Sequence, residues 1–367
     1  MPHLMLDRFK LKMEPLANRP MNKQFIEKHH VPVSAQPKNL SAAAKDSVGE
    51  VCARIRAARS TRRPVMLATG AHTIKNGLGP VLIHLLETGW VTHVATNGAG
   101  IIHDWEFSFQ GKSSEDVEKN TAKGLFGNWQ ETGYFINLAL NVGAYEGKGY
   151  GESVGSMIQS EGLTIPSADE INAALRSAEQ NPERAAAAAD LLWAIKAFDL
   201  KSGRLSIPHA WKQYSVQAAA VRLGVPSTGH PMIGHDIIYN HPMNHGASIG
   251  RCAERDFLAY AHNVSQLEGG VYLSVGSAVM SPMIFEKSLS MSQNLALQRG
   301  QHIDGHYIMV VDLAQSRWDW SKGEPPMDSS DYYLRYCKTF SRMGGTMRYC
   351  TADNRDFLLE LTHQLGG

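Results

Sequence analysis

Apolar positions in this chain fall into short continuous runs separated by small-residue turns and longer amphipathic stretches. That alternation builds a parallel sheet covered by helices. Pro64 to Thr69 (PVMLAT) is one such run; Gly70 to Asn76 then reads as a loop, Gly77 to Thr88 (GLGPVLIHLLET) has helical length, and Trp90 to Thr96 (WVTHVAT) is apolar again. The segment predicts a strand, helix, strand unit with a right-handed crossover. The carboxyl-terminal third repeats the scheme. It carries a strand at Gly270 to Val275, a turn at Gly276-Ser277-Ala278, a helix from about Met283 to Leu297 and a strand at His306 to Leu313. A last strand at Thr346 to Cys350 precedes a helix through Gln364.

Three further stretches have helical spacing: Ser41 to Ser60, the Ala-rich run from Ala185 to Phe198, and Tyr214 to Leu223. The Gly- and Tyr-rich stretch Gly143 to Gly151 predicts a mobile lid or an ordinary surface loop. Met1 to about Leu40 carries Pro15, Pro20, Pro32 and Pro37 without a sustained period, which predicts an extended arm in need of a surface to lie on. The expected architecture is α/β, a doubly wound and mostly parallel sheet, with an arm over residues 1–40 and one domain over 41–367.

Composition narrows the function. Of 367 residues 43% are hydrophobic and 19% charged, enough apolar material for a sizeable core. Lys plus Arg is 36 and Asp plus Glu 35, so no broad basic field exists to hold a phosphate backbone, and nucleic acid is not an expected partner. Cys52, Cys252, Cys337 and Cys350 stand far apart and suggest neither a disulfide framework nor a cysteine zinc site, which fits a reducing cytoplasm. No leader or membrane span is expected, because charges interrupt the first residues and every later apolar window.

Candidate chemistry falls into four groups. Pyrophosphate needs backbone N–H groups and a close approach that small residues allow, so the turns Thr69-Gly70-Ala71-His72-Thr73 and Thr96-Asn97-Gly98-Ala99-Gly100 are candidate cofactor loops, although neither is an orthodox G-x-G-x-x-G. Asp104, Asp312 and Asp353 follow strands and could accept from ribose hydroxyls, with helix capping the plain alternative for Asp353. His230, His235, His241 and His245 with Asp236 could suit a metal-assisted hydrolase, but their spacing puts no ligand set on one helical face. Lys338 follows Tyr332, Tyr333 and Tyr336; a lysine desolvated against rings becomes a neutral nucleophile, whereas most lysines are solvated.

In order and position these segments resemble the deoxyhypusine synthase family. The likeness runs from about Leu67 to Leu365 and rests on Lys75-Asn76-Gly77-Leu78, Thr96 to Gly100 with Asp104 behind, Ile233 to Tyr239, Gly276-Ser277, Ala314-Gln315, Asp331 before Lys338, and Thr351 to Asn354. The resemblance implies a NAD-binding Rossmann-like sheet and a homo-oligomer, tetramer or dimer. It also implies that Thr96, Asn97, Gly98, Gly100, Gly276, Ser277, Ala314, Asp353 and Asn354 hold NAD, and the strand-end candidates Thr73, Asp104 and Asp312 complete the expected cofactor set. Lys338 would form an imine and Asp236 would anchor a cationic amine, while a changed, less cationic substrate would be approached by His72, His103 or His235. This chain departs from the pattern where a His pair is expected, having Met280-Ser281-Pro282-Met283, and it has Ile102 and His103 where acidic residues precede Asp104. The expectation is therefore an NAD-dependent enzyme that oxidises an amine or alcohol carbon of a small molecule, with the substrate changed and no resident metal. A metal-assisted hydrolase or lyase and a non-catalytic nucleotide-binding protein are the alternatives.

Overall fold

A computed structural model describes residues 3–20 and 25–366. Among them are eight strands: β1 (Val65–Thr69), β2 (His93–Asn97), β3 (Gly162–Ile165), β4 (Gly203–Ser206), β5 (Ser227–His230), β6 (Val271–Val275), β7 (Tyr307–Asp312) and β8 (Thr346–Thr351). Contacts gather the chain into two compact units. The first is drawn from residues up to His29, from Ile101–Ala218 and from Pro231–Arg255; the second is drawn from His30–Gly100, Ala219–His230 and from Asp256 onward. The contact boundaries thus differ from the single boundary expected at residue 40. The chain passes between units several times, which no linker composition signals.

The second unit carries a six-stranded parallel sheet in the order β5-β2-β1-β6-β7-β8. Every residue of β1 and of β6 is buried, because helices cover both faces; this is why both strands read as unbroken apolar runs. The helix Ala42–Ser60 starts where Ser41 accepts a hydrogen bond from Ala44 N–H and packs against the last helix, Asn354–Leu365. Met66, Ala68, Tyr272, Phe285, Ile308 and Phe340 belong to the core of this unit. This is the expected doubly wound, Rossmann-like α/β sheet. Where Gly70 to Asn76 was expected as a loop, a short helix Ala71–Lys75 forms instead.

The first unit is mainly helical, with β3 and β4 as an antiparallel hairpin. Its helices Gln130–Glu146 and Tyr150–Ser160 account for the Gly- and Tyr-rich stretch, which is neither lid nor loop. Only Gly147 to Gly149 lie between the helices; Gly147 takes φ 85°, the left-handed end that glycine supplies without steric cost. Gly143 permits the close crossing, since a Cβ there would collide with Ser153 Oγ. The part of the arm before His30 lies on this unit through Arg8, which donates to the Tyr239 carbonyl at 2.9 Å and to Asn244 Oδ1 at 2.8 Å, and through buried Leu16. No described helix is long and apolar enough to cross a membrane.

Candidate functional site

Register places most of the predicted cofactor residues along one edge of the second unit. Thr96, Thr69, Val275, Val311 and Cys350 align across the sheet as a row. The next residue on each strand makes the carboxyl rim: Asn97, Gly70, Gly276, Asp312 and Thr351. The strand order reverses between β1 and β6, since the chain builds β2 and β5 on one side of β1 and β6, β7 and β8 on the other. Ligands of open α/β sheets bind at such a switch point, in the crevice beyond the strand ends.

Two glycines meet there. A Cβ on Gly70 would collide with the Gly276 carbonyl, and a Cβ on Gly276, whose φ is +60°, would collide with the Asn354 amide. The backbones of the β1 and β6 turns approach more closely than side chains would allow. Thr73, three residues beyond Gly70, is fully buried, and its hydroxyl has no hydrogen-bond partner among the described residues. Sequence reading named this turn but omitted Gly70 from the binding set. Its closeness to Gly276 depends on two strands 206 positions apart in sequence numbering being neighbours, from position 70 to position 276.

The other rim residues divide by what they touch. Asn97 Oδ1 accepts from Gly100 N–H at 2.9 Å and so caps the helix Gly98–Gln110, which begins directly at the strand end. The Thr96 hydroxyl donates to the Thr69 carbonyl at 3.0 Å, so it joins β2 to β1, and Gly100 leaves room for it. Ser277 Oγ accepts from Ser281 N–H at 3.2 Å. Asp312 accepts from Ala314 N–H at 3.2 Å, and the Ala314 carbonyl takes hydroxyl bonds from Tyr349 at 2.6 Å and Thr351 at 3.2 Å. Asp353 caps the last helix through Arg355 N–H.

Asp104 is not a strand-end carboxylate. It lies within a helix of the first unit, fully buried, and accepts from Ser215 Oγ at 2.5 Å and from Val216 and Gln217 N–H at 2.9 and 3.2 Å. It therefore holds the start of the helix Val216–Leu223. Burial pushes its carboxyl up to about 6 despite those bonds.

The neutral-amine state expected for Lys338 is also corrected. Its Nζ lies 2.9 Å from Glu324 Oε1 and 3.2 Å from the Tyr332 ring centroid. Desolvation lowers its pKa, but the bonds to Glu324 and Tyr332 outweigh that and raise it above the ordinary lysine value. The ammonium form is favoured, and an ammonium has no lone pair with which to form an imine. The preceding residues form a 3-10 turn over Ser330–Tyr333, with the helix running only from Arg335 to Ser341.

Asp236, His235 and His103 belong to the first unit, and Lys338 to the second. Asp236 precedes the 3-10 turn Ile237–Asn240, and its Oδ2 is buried without a hydrogen-bond partner among the described residues. Burial raises its pKa to about 6, with His235 opposing. A buried carboxylate oxygen of this kind suits a cation. His103 Nδ1 lies 2.7 Å from Ser113 Oγ. Sequence reading missed the rest of this network: Arg19, Glu106, Ser113, Glu115 and Thr132. The recoverable signal was Glu106, three positions after His103 and so on the same helical face.

The histidine run does not assemble a metal centre. His230 ends β5 and bonds the Thr228 hydroxyl at 2.9 Å, while His241 Nδ1 accepts from Met243 N–H at 2.9 Å. Among the described residues no group of three His, Cys, Asp or Glu side chains could hold a metal ion.

No family model matches the chain, and no curated protein sequence matches it. Its chain path is similar to that of unliganded AgrE, at 14% identity and TM-score 0.47, covering 89% of this chain and 34% of that one. AgrE in a ternary complex with ornithine and NAD+ matches at 16% identity and TM-score 0.44, with 89% and 34% covered. A conserved LOR/SDH protein from Methanococcus maripaludis S2 matches at 14% and 0.44, with 91% and 72% covered. This chain thus spans about a third of the length of AgrE. Likeness at this level describes chain path and carries no functional argument. What stands of the deoxyhypusine synthase resemblance is the Rossmann-like sheet; the neighbours named here carry no assignment to that synthase.

Proposed function

We propose that this chain is an enzyme that binds a dinucleotide, NAD, at the carboxyl rim of the second unit's sheet and oxidises an amine or alcohol carbon of a small substrate. The observation that carries the reading is the switch point between β1 and β6, where Gly70 and Gly276 bring two backbone turns together without side chains. A pyrophosphate needs that close backbone approach, and the buried, unpartnered Thr73 hydroxyl adds a polar group beside it. Thr73, Gly98, Gly276, Ser277, Asp312, Ala314 and Asn354 would hold the cofactor. Bound NAD supplies a hydride acceptor.

Lysine-imine group transfer is left out of the reading, because pairing holds Lys338 as an ammonium. Titration of the purified protein with NAD and NADP, followed by native mass spectrometry, tests the proposal. Binding of NAD by a dimer or tetramer is expected. Failure of either dinucleotide to bind at millimolar concentration would overturn it, and binding without turnover of any amine or alcohol in a broad panel would favour a non-catalytic nucleotide-binding protein.

A further inference from the structure

The second unit has a recess at the other end of its strands. Val65, Val271 and Tyr307 align where β1, β6 and β7 begin, so the segments just before them lie side by side. A cavity of about 480 Å³ opens there, a volume within the range of small-molecule sites, and its lining includes Arg63, Glu268, Ala296, Arg299, His302 and Ile303. Strands of 5 or 6 residues put it roughly 17–20 Å from the carboxyl rim.

The charges on its wall do not pair with one another. Among the described residues neither the Arg63 nor the Arg299 guanidinium meets a carboxylate; Arg299 Nε donates to the Leu295 carbonyl at 3.2 Å, which leaves its Nη atoms. Glu268 Oε2 accepts from the Asp304 and Gly305 N–H groups, both at 2.8 Å, whereas Oε1 takes no hydrogen bond among the described residues. No neighbouring cation offsets this carboxylate. His302 Nδ1 is directed to Asp304 Oδ2 at 3.2 Å, and burial holds His306 below the ordinary histidine value in spite of Glu268 and Asp304. Opposite charges that closed on each other would fill their own site; here both signs are left to a ligand. A simple anion would face Glu268 and a simple cation would face two guanidinium groups, so a molecule carrying both charges fits where neither alone does. Buried Ala296 and Ile303 add an apolar wall. We propose that this cavity binds a free aliphatic α-amino acid, with its carboxylate on Arg63 and Arg299, its ammonium on Glu268 Oε1 and its side chain against Ala296 and Ile303. The guanidinium fork matches a carboxylate, and an ammonium is a compact donor suited to a single carboxylate oxygen.

The test is isothermal titration calorimetry of the purified protein with L-leucine, N-acetyl-leucine, leucinamide and inorganic phosphate. Leucine is expected to bind saturably, and the two derivatives, each lacking one charge, to bind roughly tenfold or more weakly. Arg63→Gln should weaken leucine by a similar factor. Glu268→Gln keeps an acceptor for the two N–H groups and removes the charge; it should weaken leucine while leaving N-acetyl-leucine unchanged, a split that general damage to the fold would not produce. Absence of leucine binding at millimolar concentration, or equal binding of leucine and both derivatives, would overturn the inference. Phosphate binding as tight as that of leucine and lost in Arg63→Gln would make this an anion site and overturn it too. The titration uses no dinucleotide, so failure of NAD binding would refute the proposed function without touching this result.

Discussion

The most quantitative expectation concerns two histidines in the second unit. His93 Nε2 and His230 Nε2 each lie 2.9 Å from the Thr228 hydroxyl, and Tyr260 stands edge-on to both rings at 5.6 and 5.2 Å. Burial pushes His230 down to about 3; His93 falls to the same level, from burial first and from His230 second. Both are neutral when folded, whereas an unfolded chain protonates histidine at about 6.5. As pH falls below that value the unfolded state binds protons that the folded state refuses, so stability is lost progressively from about 6.5 down to about 3. Between pH 7.5 and pH 5 that loss is about 2 kcal/mol for each such histidine. His230→Asn removes one titrating group while keeping a polar side chain. Urea unfolding at the two pH values should show the wild type losing about 2 kcal/mol more than the variant, whatever their difference at neutral pH. Taking the difference of two slopes cancels other titrating groups, including Asp104, whose raised pKa acts in the opposite sense. Equal slopes would refute the neutral buried state of His230.

Two other substitutions probe the scaffold. Gly70→Ala should cost about 1–3 kcal/mol through overpacking against the Gly276 carbonyl and should weaken NAD binding in parallel; unchanged stability in urea would show that the two turns do not approach as described. Asp104→Ala leaves a serine hydroxyl and two backbone N–H groups without their buried acceptor, for an expected loss of about 1–3 kcal/mol. A change within about 0.5 kcal/mol would place Asp104 among ordinary surface positions and refute its capping role.

What the sequence by itself determined was the sheet. A parallel strand covered on both faces has to be apolar along its whole length, so PVMLAT, GVYLSV and HYIMVVDL announced β1, β6 and β7 within a residue or so of their ends. Small residues after those strands likewise marked the rim. Tertiary structure decided which turns meet. The closeness of Gly70 to Gly276, and of Gly276 to Asn354, follows from strand order, and strand order leaves no local mark on any one segment. It also decided the charge states. Lys338 was expected to be neutral from the aromatic residues beside it, but Glu324, brought near by folding, keeps it charged. Asp104 follows a strand in sequence yet caps a helix that starts 112 positions later, at Val216. Apolar periodicity is a property of neighbours along the chain, whereas protonation and close approach belong to neighbours in space, and that is where the sequence stopped being sufficient.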